Sequence, residues 1–468
     1  MRNDAKKRPN LLFVLSDQQS YDMLGCYGNT QLITPNTDRL ASEGIRFNHC
    51  VSNSPICTPY RGILFSGQHP LYNGAFSNDI QMLQGDGNCF GEVLRDAGYR
   101  MGYYGKWHLY GGDRNRPIPA GPYRYGFDGG FLTDNCTEEF RPGYCYYWND
   151  AGEKVFFDEW EPYGQTRQAL EFLDGCTEDE PFALFVSWHP PHNMGGRDGR
   201  FYYDTEPELM DLYDREKIEL RENCEDTPET REAYHGHMAM CTGVDTTLGW
   251  LTQKLKDMNL DDNTIVVFSS DHGDMLYSCG RPWPKGFPED ESLRVPLIIR
   301  WPERLAARTS DLIVSTFDLM PTILSMMDLG VPETCQGKDL SQAIFNQDDD
   351  AVESTPLMII SMGQGWRGIY TKRYTYSFDE GMESPVRFNC LYDKEADPRQ
   401  QNNLFYLPEY RAVRDELHRE TLQWMARFDD EFAPGETVFK VCFGDAGPPT
   451  AGYGDTGILP GRPIDLLK

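Results

Sequence analysis

The stretch RPNLLFVLSDQQ, Arg8 to Gln19, decides the fold. Its apolar run, Leu11 to Leu15, has no polar alternation, so both faces must be buried. The run is short and ends in Ser16, Asp17 and Gln18, which reads as a strand of a parallel sheet rather than a helix. The pattern recurs in EPFALFVSWHPPHN, ending at His189 and His192, and in NTIVVFSSDHGDM, ending at Asp271 and His272. Helical patterns lie between and beyond these runs. TPNTDRLASEG has Thr34 as cap, Pro35 inside the start and Gly44 past the end. ETREAYHGHMAMCTGVDTTLGWLTQKLKDMN reads as a long amphipathic helix, with His235 and His237 as structural residues, and STFDLMPTILSMM as another helix. RVPLIIRWP predicts one more short strand. The alternation predicts an α/β fold, with a large mostly parallel sheet sandwiched by helices. Ligands of such sheets bind beyond the carboxyl ends of the strands. All three runs end there in side chains able to bind metal or move protons.

After about residue 345 the texture changes. NQDDDAVESTP is an acidic connector, and LMIIS, WRGIYTKRYTYSF and RFNCLYD read as strands of a smaller antiparallel sheet. A helix near Glu409–Phe428 and a Gly- and Pro-rich tail from Ala433 that wraps the surface follow. We therefore expect a catalytic domain over 1–350 and a smaller α+β subdomain with tail over 351–468.

Composition narrows the function classes. The 468 residues carry 44 Lys and Arg against 73 Asp and Glu, a net charge of -29. That argues against a nucleic-acid partner, which needs a basic footprint. No apolar run approaches the roughly 18 residues of a transmembrane helix, so no membrane partner is expected. Mean hydropathy is -0.58. No apolar core follows the charged N-terminus, so the sequence as it stands shows no signal peptide. A chain whose signal had been removed would look the same. The expected compartment is cytoplasmic in the first case and periplasmic or secreted in the second. The 13 cysteines include no CxxC pair and no zinc spacing. Oligomeric state is not readable.

One cysteine has an unusual neighbourhood. In ICTPYRGILFSGQ, Ile56 to Gln68, Pro59 reads as an early helical position, which puts Cys57 at the positive end of the helix. Arg61, one turn on, would face the same way. This is a place to hold a negatively charged group.

These residues carry a resemblance. CTPYRG matches the C-x-P-x-R signature of the formylglycine-dependent sulfatases, in the alkaline-phosphatase-like superfamily. NLLFVLSDQQ, GYYGKWHL, WHPPHN, SSDHGDM and KGFPEDESLRVPLIIRWP resemble further family segments, in the family's order, as do TFDLMPTIL and LYDKEADPRQQNNL. The resemblance covers roughly residues 8 to 405.

It implies that Cys57 becomes formylglycine through a formylglycine-generating enzyme. The hydrated aldehyde has two hydroxyls: one attacks sulfur, and deprotonation of the other expels sulfate. A metal site would comprise Asp17, Gln18, Asp271, His272 and the modified residue 57, suited to Ca²⁺, with Mn²⁺ or Mg²⁺ as alternatives. Relatives often carry Asp at position 18 and Asn or His at 272. Gln18 therefore removes one negative charge. Arg61 and Lys106 would hold the formylglycine hydroxyls, His108 would take a proton, and His192 and Lys285 would contact sulfate and help protonate the leaving oxygen. Arg61, Lys106, Lys285 and the cation would thus make a small positive focus in an acidic chain. Cys279, in YSCG, stands where many relatives carry histidine. The implied function is a sulfuric ester hydrolase acting on a sulfated carbohydrate at a chain end. NGAFSNDIQ, RPWPKGF and GQGWRGIY would line the outer pocket, with Arg281, Trp283, Trp366 and Arg367 meeting sugar. Two alternatives stay open: a phosphonate monoester or phosphodiester hydrolase on the same scaffold, and a non-catalytic glycan-binding relative.

Overall fold

Strand β1 (Asn10–Ser16) is buried at every position, as its two-sided apolar run requires. The computed structural model describes residues 7–195, 201–360, 365–379, 387–444, 459 and 461–468. In these, β1 lies inside an eleven-stranded sheet. The other strands of its first half are β2 (Ile45–Val51), β3 (Arg100–Lys106), β4 (Phe131–Asp134), β5 (Tyr146–Trp148), β6 (Lys154–Phe156) and β7 (Phe182–Ser187). A separate two-stranded ladder, β8 (Met194–Gly195) with β9 (Phe201–Tyr202), follows. The sheet is completed by β10 (Thr264–Ser270), β11 (Arg294–Val295), β12 (Leu297–Arg300) and β13 (Arg308–Ser315).

The centre of the sheet, β10-β1-β7-β3-β4, is parallel throughout. Antiparallel strands flank it: β12 against β10, and the β5–β6 hairpin beyond β4. The register levels the carboxyl ends. Ser16 lies opposite Ser270, and Ser187 lies opposite both Leu15 and Gly105. Four consecutive parallel strands therefore release their next residues at one edge.

The alternation of β1 divides the interior. Leu11, Phe13 and Leu15 enter one apolar core, and Leu12 and Val14 the other. Helices cover both faces. Helix α1 (Pro35–Glu43) begins with proline and ends before Gly44, as its sequence predicts. Thr34 stands at the cap position, but its hydroxyl accepts from Gly25 N instead. The first α1 amides donate to Asp245, from the long helix Pro228–Asp257. That distant carboxylate takes over the capping role. Helix α2 (Cys57–Ser66) is buried along its whole length.

The four antiparallel strands after residue 350 are β14 (Ser354–Ile359), β15 (Trp366–Thr371), β16 (Tyr374–Phe378) and β17 (Cys390–Asp393). A helix, Arg411–Arg427, packs on them. Leu357, Ile359 and Trp366 join the core of the large sheet. The described parts of the tail, helices Gly435–Phe443 and Pro463–Leu466, pack on Leu71, Phe76 and Ile80. Two expected sugar contacts are overturned. Trp366 is fully buried, donating to Gly286 O, and Arg367 is buried against Asp430. Arg281 pairs with Glu289, while Trp283 is exposed and stacks on Phe287. Gly363 and Gln364 lie outside the described residues.

Candidate active site

Cys57 is the first residue of α2, where amide N–H groups have no helical partner. The next amide, of Thr58, donates to Asn78 Oδ1. Cys57 is 1% exposed. Its Sγ lies 3.0 Å from Lys285 Nζ, 3.5 Å from Lys106 Nζ and 3.2 Å from His272 Nε2. Burial alone raises a thiol, but Lys106, Lys285 and His272 outweigh it and hold Cys57 well below its ordinary value. The surroundings are those of an oxyanion.

The strand ends supply the rest. β1 delivers Asp17 and Gln18, β10 delivers Asp271 and His272, β3 ends in Lys106, and His192 follows β7. Lys106 Nζ lies 2.5 Å from Asp17 Oδ2. Arg61 donates to Lys106 O and Ser187 Oγ, at 2.9 and 2.8 Å. It also lies 3.5 Å from Asp17 Oδ2 and 3.3 Å from Asp271 Oδ2. Its bonds thus run to the two carboxylates and two strand ends, and it ties all four strands to α2. Lys285 Nζ lies 2.8 Å from His192 Nε2, so one ammonium joins His192 to Cys57.

Asp17, Cys57, Asp271 and His272 offer ligand atoms within 4.8 Å of one another, all buried. The two carboxylates differ. Burial raises Asp17, but Lys106, His192 and Lys285 hold it far below the carboxylate range. Burial and the neighbouring Asp17 push Asp271 up. Gln18 adds a further donor. Its Nε2 is fixed by Asn193 Oδ1 at 2.8 Å and Asp274 Oδ2 at 2.7 Å, which leaves Oε1 buried with no partner among the described residues. Its backbone is left-handed, φ 65°, and its carbonyl meets His237 Nε2 at 3.2 Å. An orphaned amide oxygen beside two buried carboxylates and an imidazole fits a hard divalent cation.

His108 follows β3 with φ 52°. Its Nε2 lies 3.1 Å from Asp79 Oδ1, and its Nδ1 is buried without a hydrogen-bond partner among the described residues. Asp79 is held in turn by Arg114, at 2.7 and 2.9 Å, and Arg114 also pairs with Glu138 at 2.9 Å. His189 packs behind the site. It is fully buried, 3.4 Å from Glu161, and burial holds its imidazole well below the ordinary value. His235 bonds the carbonyls of Met210 and Tyr213, a structural role. Cys279 faces Asn223 and Gln400 O.

The structure thus brings Asp17, Gln18, Cys57, Arg61, Lys106, His108, His192, Asp271, His272 and Lys285 to one edge of the sheet. Sequence reasoning missed Asp79, Asn193, Asp274 and Ser187. Asp274 had a local signal, since it ends the same SSDHGD run as Asp271. Asp79 had none.

The family model described as Sulfatase matches residues 9–329. One described as N-sulphoglucosamine sulphohydrolase, C-terminal, matches residues 281–427. An ulvan-active sulfatase of Formosa agariphila is 33% identical, over 94% of this chain and 85% of its own. An endo-4-O-sulfatase of Bacteroides thetaiotaomicron is 28% identical, over 91% and 94%. The crystal structure of the sulfatase yidJ from Bacteroides fragilis superposes with a TM-score of 0.81 at 30% identity, covering 92% of this chain and 98% of that one.

Proposed function

This chain belongs to the sulfatase family, and from that premise we propose that it removes sulfate from a sulfated carbohydrate. The observation that carries the reading is the convergence of Lys106, Lys285, His272 and Asp17 on the buried Cys57 sulfur. Similarity to an ulvan-active sulfatase and an endo-4-O-sulfatase supports the substrate class. We read the action as exo, because a residue 57 that is 1% exposed suits a terminal sugar entering a pocket. Residues 1–350 carry every proposed catalytic group, with 351–468 as the smaller subdomain.

Asp17, Gln18, Asp271 and His272 would hold the divalent cation, Ca²⁺ in our reading, which offsets sulfate charge and polarises the nucleophile when bound. Formylglycine at position 57 would supply two hydroxyls, one for attack and one for release. The chain's own residues do the rest. Lys106 and Lys285 hold positive charge around the position 57 side chain, where negative charge develops. Lys285 also orients His192, and the pair presents a proton to the leaving oxygen. Asp79 holds Nε2 of His108, which leaves Nδ1 as the face that takes a proton from residue 57. Arg61 fixes the two carboxylates and takes no proton.

The test is turnover of sulfated oligosaccharides beside a phosphodiester, using protein coproduced with a formylglycine-generating enzyme. The reading predicts sulfate release that Cys57→Ala abolishes and a chelator suppresses until Ca²⁺ is restored. A large preference for the phosphodiester, or turnover that survives Cys57→Ala, overturns it.

A further inference from the structure

The β5–β6 hairpin forms one end of the large sheet. Its register sets Tyr146 opposite Phe156 and Trp148 opposite Lys154. Directly opposed residues share a face, so these four side chains stand together. Tyr147, between them, turns inward and is buried. The Tyr146 and Phe156 rings lie 5.2 Å apart, and those of Tyr146 and Trp148 5.9 Å. Lys154 Nζ sits 3.9 Å from the Tyr146 ring centre and 5.0 Å from that of Trp148. Phe156 is 56% exposed. Among the described residues Lys154 pairs with no carboxylate, although the chain carries a net charge of -29. The acids of the hairpin turn are engaged elsewhere: Asp150 with Arg124 and Glu153 with Asn149.

A chain of side-chain contacts leads from this face toward the site. The Tyr146 hydroxyl donates to Asn115, next in the chain to Arg114, whose guanidinium holds Asp79 against His108. Tyr146 and Trp148 are half-buried, and a partly exposed aromatic face on an edge hairpin is an aggregation liability unless something covers it.

We propose that this face is a platform for the body of a sulfated polysaccharide whose terminal sulfated residue enters the Cys57 pocket. The inference rests on the sulfated-carbohydrate reading above. Flat pyranose C–H faces pack on the Trp148 and Phe156 rings, and the Lys154 ammonium, which no described carboxylate neutralises, meets a sulfate or carboxylate of the chain. One positive charge beside aromatic surface selects an anionic polysaccharide over a neutral one.

The test is native affinity electrophoresis of the full chain in gels containing ulvan, chondroitin sulfate or neutral dextran. Wild type is retarded by at least one sulfated polymer and not by dextran. The Trp148→Ala/Phe156→Ala variant loses affinity by about tenfold or more, while its turnover of a sulfated monosaccharide is unchanged. Lys154→Glu, a surface substitution outside any core, weakens retardation in the same direction, and melting temperatures check that each variant folds. Retardation equal in wild type and variants, or no retardation of wild type by either sulfated polymer, overturns the platform. Variant-sensitive retardation without turnover of any sulfated sugar keeps the platform and contradicts the proposed activity.

Discussion

Asp79 separates positioning from chemistry at the residue scale. It touches His108 Nε2 at 3.1 Å but none of the groups around the Cys57 sulfur. Asp79→Ala leaves the imidazole free to turn and to change tautomer. Its kcat should fall roughly 10–100-fold with KM little changed, and Asp79→Asn should recover part of the loss. Steady-state kinetics check this; an equal rise in KM with kcat intact would mean that Asp79 binds substrate instead. Nothing near Asp79 in the chain announces the role, because its partners His108 and Arg114 arrive from 29 and 35 residues away. Cys57 and Arg61 were legible because proline placed them on one helix turn.

At the scale of elements, the strand ends depend on close backbone approach. Gly105, one residue before Lys106, has φ +122°, and a Cβ there would meet Ser187 O at 2.0 Å and Gln165 Nε2 at 2.2 Å. Gly105→Ala should therefore push β3 from β7, destabilise the fold by more than about 2 kcal/mol and carry Lys106 out of place. A melting temperature and a turnover assay on the same sample read both effects. The second sheet is held differently. Arg367 donates to Asp430 Oδ1 at 3.0 Å and to Ile359 O at 2.8 Å, with both charged groups buried. Asp430→Ala leaves a buried guanidinium unpaired and should cost about 3–5 kcal/mol, measured by denaturant unfolding. Strands β1, β7, β10 and β12, α1 and the Pro228–Asp257 helix were legible because apolar period and proline or glycine punctuation are local, whereas β2 to β6 and β13 went unread. The burial of Trp366 and Arg367 was not. An arginine beside a tryptophan after Gly365 reads as a surface loop, and the carboxylate that neutralises it lies 63 residues on.

The whole molecule gathers positive charge at one point of an acidic chain. His69, just after α2, meets the segment that follows the Arg411–Arg427 helix: its ring stacks on Phe428 with centroids 5.0 Å apart, and Nε2 lies 3.8 Å from Asp430. Burial, opposed by Asp430, brings His69 from 6.5 down to about 4. The folded imidazole stays neutral where the unfolded one protonates. Its stabilising contribution is therefore full above about pH 6.5 and is lost as pH falls toward 4. Melting temperature should drop across that window, and His69→Gln should flatten the drop; an unchanged slope would remove His69 as its source.

The central claim is that residue 57 works as formylglycine. The most direct measurement is the mass of the tryptic peptide Phe47–Arg61, after thiol alkylation, from protein that releases sulfate. That peptide contains Cys50 as well as Cys57. We predict one alkylated thiol, at Cys50, and an aldehyde at position 57. Two alkylated thiols in a preparation with full turnover would contradict the account.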